Sequence, residues 1–294
     1  MNGWLVIDKP MGPGSTQIVS AVKRALREGG YPKAKVGHGG TLDPLASGVL
    51  PVALGEATKL CGRMLHADKL YRFTIALGSE TDTLDVEGAV VATSGHRPSI
   101  AAIEAVLPRF TGGIQQVPPA YSALKIEGRA AYARARAGEA VTMKPRKVSV
   151  HMLRIERTEA DAVTLIAAVS KGTYVRSLAR DIARALGTVG HVSMLRRLKA
   201  GPFALDSAIS LDKLAELGKA RELEQALLPL TAGLDDIPAL PVTPDQARLL
   251  RQGQKLAGIA VKPGLHLATD CAVPVALVEA GSEGDLRVVR GFNL

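Results

Sequence analysis

Strand-like segments are scattered along this 294-residue chain instead of clustered, and that scatter is what most limits its fold. Trp4–Ile7 reads as a short buried strand, Tyr71–Leu77 and Lys147–Ile155 alternate in strand fashion, and Val163–Val169 is a continuous apolar run. Helical patterns separate them. The first starts near Ser15 or Thr16, with Ile18, Val22 and Leu26 on one face, and Gly29-Gly30 stops it. Another covers Ser99–Leu107 with a serine cap. A third covers Val175–Leu186, with Leu178, Ile182 and Leu186 inward and Arg176, Arg180 and Arg184 at four-residue spacing on another face, until Gly187 ends it. This mixture predicts an α+β fold, without internal repeat. The glycine-dense stretch from Gly37 through Gly55 carries too many punctuators for a long regular element and reads as a loop.

A change of texture marks a boundary near residue 236. Residues 202–236 hold seven acidic against three basic side chains and lead through Ile237-Pro238 and Leu240-Pro241 into a capped helix from Thr243-Pro244 to Gln252-Gly253. Short strands follow, such as Val273–Val278 and Leu286–Arg290, so residues 237–294 read as a small, mostly-β module. The longest apolar runs, Val49–Leu54 and Val163–Val169, fall far short of the roughly 18–20 residues of a bilayer helix. Met1–Pro10 is not followed by a secretory succession, which makes the cytoplasm the expected location. Cys61 and Cys271 have no metal-ligand spacing and are read as buried, unpaired thiols.

Charge is distributed unevenly. Lys plus Arg number 37 against 28 Asp plus Glu, and residues 101–201 alone hold 17 against 7. Such a concentration predicts a surface that neutralises phosphates, with nucleic acid as the leading partner and binding that weakens steeply with salt. Solvated helix faces are the alternative. A membrane surface fits poorly, because aromatic residues are 3% of the chain and do not accompany the basic ones.

No Walker-type loop, His-Glu-x-x-His, Gly-x-Ser-x-Gly or Cys-x-x-Cys motif is present, which withdraws support from ATP hydrolysis, zinc catalysis and serine hydrolysis. What stands out is the segment His38–Val52, where a single carboxylate, Asp43, sits among glycines and small residues that let something bulky approach it. Asp43 could equally cap a turn before Pro44. Lys171–Arg176 lies where a buried strand meets the arginine-faced helix, and Arg176 there is either a surface cation or the partner of a buried carboxylate. Lys69–Phe73 sets Tyr71 among basic residues, as a core residue or as a stacking platform for an unstacked base.

Together, Asp8-Lys9-Pro10, the His38–Pro51 loop, Gly55–Lys59, Lys69–Phe73, Thr81–Asp85, Pro118–Ala123, Lys171–Arg176 and His191–Leu198 resemble, in order and approximate spacing, the blocks of the tRNA pseudouridine-55 synthase (TruB) family. The resemblance covers roughly residues 3–230. Two departures are Gly39, where the family usually has a larger residue and where a looser loop is expected, and Arg27–Lys35, which reads as a surface excursion.

The resemblance implies a pseudouridine synthase fold: a mixed, largely antiparallel central sheet flanked by helices over residues 1–236, an RNA-binding insertion at about 100–147, and a PUA-like module over 237–294. It implies isomerisation of uridine 55 in the T-arm of tRNA, with base flipping and without metal or organic cofactor, by a cytoplasmic monomer needing no obligate protein partner and no membrane. Asp43 would be the catalytic residue, in transient covalent union with ribose or base. Arg176 would pair with it, Tyr71 would stack on the base, and Tyr174 and Leu195 would line the pocket. Asp85 would anchor a supporting hydrogen bond. His38 would fill the space left by extruded nucleotides, and Lys9 and Lys59 would contact phosphate or support the loop. Two rivals remain: a guide-RNA-dependent pseudouridine synthase, and a tRNA-binding or folding factor with incidental modification.

Overall fold

Each strand pattern in the first two-thirds of the chain enters one sheet. The computed structural model describes residues 1–294 except Ala123, Glu127 and Ala140 and the side chains of Ile126, Ala130, Ala135 and Arg136. Ala123 of the Pro118–Ala123 block therefore lies outside the described residues.

From the N-terminus, β1 (Gly3–Lys9) leads through α1 (Ser15–Glu28) to β2 (Val36–His38) and β3 (Ala46–Leu54). After α2 (Cys61–His66) come β4 (Lys69–Leu77), the hairpin β5 (Ser79–Thr81) and β6 (Val90–Thr93), α3 (Ile100–Val106) and β7 (Gly112–Gln116). A second small hairpin, β8 (Lys125–Ile126) and β9 (Arg129–Ala130), precedes α4 (Ala131–Arg136). The long strand β10 (Arg146–Glu159) pairs with β11 (Ala162–Val169), and then follow α5 (Val175–Ala185), β12 (Gly190–Ala200), β13 (Phe203–Ala204) and α6 (Leu211–Ala220). The chain ends in β14 (Ala239–Pro241), α7 (Pro244–Arg251), β15 (Gly264–Asp270), β16 (Val273–Ala280) and β17 (Leu286–Gly291).

The central sheet has the order β1-β3-β12-β4-β11-β10-β7, with β2 beside β3 and β13 beside β12. Every pairing is antiparallel except β12 with β3, so the sheet is mixed and largely antiparallel, as the family resemblance implies. Both of its faces are covered. In β1, Leu5 and Ile7 enter the core shared with α1, α5 and α6, while Trp4 and Val6 enter a second core on the opposite face. There Trp4 meets Phe203 with ring centroids 5.1 Å apart, and Leu267, Leu277 and Phe292 pack in from the C-terminal sheet. That sheet has the order β14-β15-β16-β17 and keeps a further core of its own with α7, including Leu250, Val275 and Leu286. The expected cap at the start of α7 is a capping box, Thr243 with Gln246, and Ser99 caps α3 through the Ala102 N–H.

Two sequence expectations fail here. The Gly37–Gly55 stretch is not one loop: only residues 39–45 are irregular, and Ala46–Leu54 is a buried strand between neighbours on both edges. Gly48 supplies a left-handed turn of the backbone (φ +103°) at a point where a Cβ would lie 2.2 Å from the Arg197 carbonyl, so this glycine serves close strand contact, not looseness. Cys271 is exposed, at the positive-φ turn (φ 46°) joining β15 to β16, where a hairpin tip cannot bury it, and Cys61 is half-buried. The strand β12 has no alternating apolar pattern to announce it.

Candidate active site

Where β12 and β2 share one edge of β3, a gap opens in the ladder. β12 pairs with β3 over Ala46–Gly48, β2 takes over at Val52, and the loop 39–45 emerges at the break. Irregular backbone at a buried place must find donors for its carbonyls, and this loop finds them in distant side chains. Arg197 of β12, 1% exposed, donates to Val49 O at 2.7 Å, to Gly40 O at 3.1 Å and to Thr41 O at 3.2 Å. The Ser15 hydroxyl donates to Leu42 O at 3.0 Å and accepts from Leu42 N–H at 2.8 Å. The Ala46 N–H bonds Asp43 O at 3.0 Å, and Lys9 Nζ donates to Pro44 O at 3.3 Å and Ala46 O at 2.5 Å. Every carbonyl from Gly40 to Pro44 therefore has a partner, and Asp43 stands on a rigid loop that contains no helix or strand.

Gly39 is held as firmly. Its N–H donates to Pro51 O at 2.8 Å, and a Cβ built on it would lie 2.7 Å from Met64 Cβ. The expected loosening at this departure does not occur, because buried Met64 occupies the space a larger residue would need.

Asp43 faces a cavity of about 190 Å³ lined also by Thr41, Leu42, Tyr71, Ser122, Thr173, Tyr174, Val175 and Leu195. Its carboxylate, 41% exposed, lies 2.8 Å from the guanidinium of Arg176, which is 8% exposed. Arg176 also reaches Asp85 Oδ2 at 3.0 Å and donates to the carbonyls of Thr83 and Tyr121 at 3.0 Å each. This places the cation between a reachable carboxylate and an enclosed one. Asp85, 1% exposed, is satisfied on its other oxygen by the Thr83 hydroxyl at 2.5 Å and the Glu87 N–H at 3.0 Å. The turn that presents it holds Leu84 at φ 63°, a left-handed conformation costing roughly 1–2 kcal/mol for a residue with a Cβ.

Tyr174 precedes α5 and is fixed by Gln116 at the end of β7: the Tyr174 N–H donates to Gln116 Oε1 at 2.8 Å, and Gln116 Nε2 donates to Tyr174 O at 3.1 Å. Burial pushes the Tyr174 phenol above its ordinary pKa. Ser122 is close enough to oppose part of that rise, yet among the described residues its hydroxyl has no hydrogen-bond partner of normal geometry.

The structure thus gathers Asp43, Arg176, Tyr71, Tyr174 and Leu195 around one cavity, with Asp85 behind Arg176. The remaining expected residues lie elsewhere. His38 ends β2 beside the loop, its Nδ1 accepting from the Gly40 N–H at 3.4 Å, and burial followed by the Arg197 charge pushes its pKa down. Lys9 is fully enclosed and spends its ammonium on the loop carbonyls, so of its two expected roles the geometry favours loop support over phosphate contact; burial lowers its pKa to about 8. Lys59 bonds Glu56 at 2.7 Å and Gly291 O at 2.9 Å, fastening the chain's last strand, and its side chain remains 30% exposed. Sequence reading missed Arg197, Ser15 and Gln116. Only the first left a signal, as an arginine inside the His191–Leu198 block.

A profile of the TruB family pseudouridylate synthase N-terminal domain matches residues 27–175, and one of the tRNA pseudouridylate synthase B C-terminal domain matches residues 176–235. A tRNA pseudouridine synthase B of Novosphingobium aromaticivorans is 61% identical across all of this chain and 98% of its own length. One of Zymomonas mobilis is 60% identical across all of this chain and 96% of its own. Among solved structures, an H/ACA ribonucleoprotein bound to a substrate RNA containing 2′-deoxyuridine has a chain that matches with a TM-score of 0.75 and 27% identity, over 99% of this chain and 85% of that one. The archaeal box H/ACA Nop10–Cbf5 complex matches with a TM-score of 0.74 and 25% identity, over 99% and 86%. A pocket built on one carboxylate, relatives alike from end to end and a shared fold converge: the chain belongs to the TruB family of tRNA pseudouridine synthases, enzymes that isomerise uridine in tRNA to pseudouridine.

Proposed function

We propose that the chain acts on uridine 55, in the T-arm of tRNA, with Asp43 as its catalytic residue. The observation that carries this reading is the 2.8 Å pair of Asp43 with Arg176 in a cavity walled by Tyr71, Tyr174 and Leu195. In the isomerisation the bond from ribose C1′ to N1 breaks and one from C1′ to C5 forms. C5 gives up a proton and N1 gains one, so nothing is oxidised and no co-reactant enters. A stacked base cannot turn over, and it must leave the arm to react. The cavity, about 190 Å³, is smaller than the roughly 300–1,000 Å³ of drug-sized pockets and suits a single base.

Tyr71 stacks on that base and Leu195 and Tyr174 enclose it. The exposed face of Asp43 forms a transient covalent bond to the ribose or the base, while Arg176 holds the carboxylate in place. His38, beside the loop, fills the space the extruded nucleotides leave. Residues 1–236 form the catalytic unit, with an RNA-binding insertion at about 100–147. Residues 237–294 form a PUA-like module with six basic and five acidic side chains, so the 101–201 stretch contributes more to phosphate binding. The enzyme works in the cytoplasm as a monomer on bare tRNA, without guide RNA or obligate protein partner. Support for that choice comes from the relatives named tRNA pseudouridine synthase B that match end to end.

The test is tritium release from tRNA labelled at uridine C5. Wild type is expected to release it from a bare T-arm stem-loop, and Asp43→Ala to release none. Silence from wild type refutes the substrate, and release by Asp43→Ala refutes the site.

A further inference from the structure

We propose that the hydroxyls of Ser122 and Thr173 hold the polar edge of the flipped base while it turns over. This rests on the function proposed above. Three buried side-chain polar atoms lack a hydrogen bond among the described residues, and two of them, Ser122 Oγ and Thr173 Oγ1, belong to residues lining the Asp43 cavity. Buried polar atoms are nearly always paired, and leaving one without a partner is costly. Ser122 is 4% exposed, so its hydroxyl is shut off from bulk water. Two such atoms at one small cavity mark a place where partners arrive with a ligand.

The two residues come from different parts of the chain. Thr173 sits in the turn between β11 and α5, next to Tyr174, and Ser122 follows Tyr121, whose carbonyl binds Arg176. Both orphan oxygens are closed off, so the base reaches them by displacing a neighbour. Tyr174, which lines the same cavity, is such a neighbour.

Uracil explains why hydroxyls suit this role. Its polar edge runs O2, N3–H, O4. Turned about the axis through N3 and C6, the ring exchanges N1 with C5, as the reaction requires, and exchanges O2 with O4. The edge therefore looks the same before and after. Hydroxyls that donate to the two carbonyl oxygens keep the detached base in either orientation, and they can rotate to follow it.

Single-turnover conversion of a T-arm stem-loop carrying uridine, 2-thiouridine or 4-thiouridine at the target tests this, using wild type, Ser122→Ala, Thr173→Val and Thr173→Ser. Removing either hydroxyl is expected to slow uridine conversion about tenfold, with RNA Kd unchanged and Thr173→Ser close to wild type. Sulfur accepts hydrogen bonds poorly, so both thio-substitutions slow wild type. Because each hydroxyl meets both oxygens in turn, deleting either hydroxyl should shrink both thio penalties. Full rates in the variants, thio penalties that simply add, or a parallel loss of RNA binding would each overturn the assignment. Absence of wild-type conversion of the unsubstituted stem-loop would instead refute the underlying function, and the assignment with it.

Discussion

Arg176→Ala removes the group that joins the reachable carboxylate to the enclosed one, and its cost can be worked from the geometry. The guanidinium bonds Asp43 at 2.8 Å, Asp85 at 3.0 Å and the carbonyls of Thr83 and Tyr121 at 3.0 Å, and the substitution deletes all four. Asp43, 41% exposed, turns to water, and its share is small. Asp85, at 1%, cannot turn, and it is left as a buried charge stripped of its counter-ion. Breaking a buried pair by removing one partner costs about 3–5 kcal/mol. At roughly 2–4 °C per kcal/mol for chains of comparable size, Tm should fall by about 6–20 °C. Asp85→Asn in the same chain removes the stranded charge, so the double variant should be more stable than the sum of the two single effects predicts, by about 1–3 kcal/mol. Thermal unfolding of the four proteins by circular dichroism gives the cycle, and tritium release read in parallel should be abolished in both proteins lacking Arg176. Additive single effects, or a Tm loss under about 2 °C, would show that Arg176 does not bear the Asp85 charge.

Gly39→Leu should destabilise by about 1–3 kcal/mol through its clash with Met64, and urea unfolding should show the penalty shrink when Met64→Ala is added. For Lys9, whose pKa falls from 10.5 to about 8 on folding, the unfolded chain holds a proton the folded one lacks between about pH 8 and 10.5. The burial cost is thus present in full below pH 8 and relieved as pH rises, so stability should climb by up to about 1.4 kcal/mol per pH unit from this group. Lys9→Met should remove that part of the slope, and urea midpoints that climb equally in both proteins would contradict it. Neutralising Arg129, Arg134 and Arg136 together should reduce the salt slope of tRNA binding by about 0.7–0.9 for each phosphate left without its cation, although Arg129 and Arg134 already pair with Glu139, at 3.1 and 2.6 Å. An unchanged slope would remove the insertion from the RNA-binding face; the Arg136 side chain itself lies outside the described residues.

Period and punctuation were enough to find β1, β4, β10, β11, α1, α3 and α5, because each has one dominant buried face. They were not enough for β12. Its sequence, Gly190–Ala200, carries Arg196, Arg197 and Lys199, which break apolar alternation, and nothing local reveals that Arg197 is buried. β3 was hidden by Gly48 and Pro51, which read as loop residues until the neighbouring strands on both edges are known. Asp43 and Arg176 were found through motif resemblance, while their 2.8 Å contact depends on a fold that joins residues far apart in sequence. The lysines are ambiguous for a related reason: a charged side chain reads as a surface group, whereas Lys9 is consumed by carbonyls of the Asp43 loop.

That consumption explains how a loop without helix or strand can be rigid enough to aim a carboxylate. Its carbonyls are bound by Lys9 from β1, Ser15 from α1 and Arg197 from β12, three elements that meet only when the sheet is assembled. Before assembly the loop lacks these three donors and has no reason to adopt this shape. Once β12 pairs with β3, the Arg197 side chain lies in the break in the ladder and bonds both sides of it, Val49 O on the strand and Gly40 O on the loop. Asp43 is then set by the same residues that complete the core. A substitution at Arg197 should therefore impair folding and catalysis together, whereas one at Asp43, 41% exposed at the loop surface, should affect catalysis while leaving the fold intact.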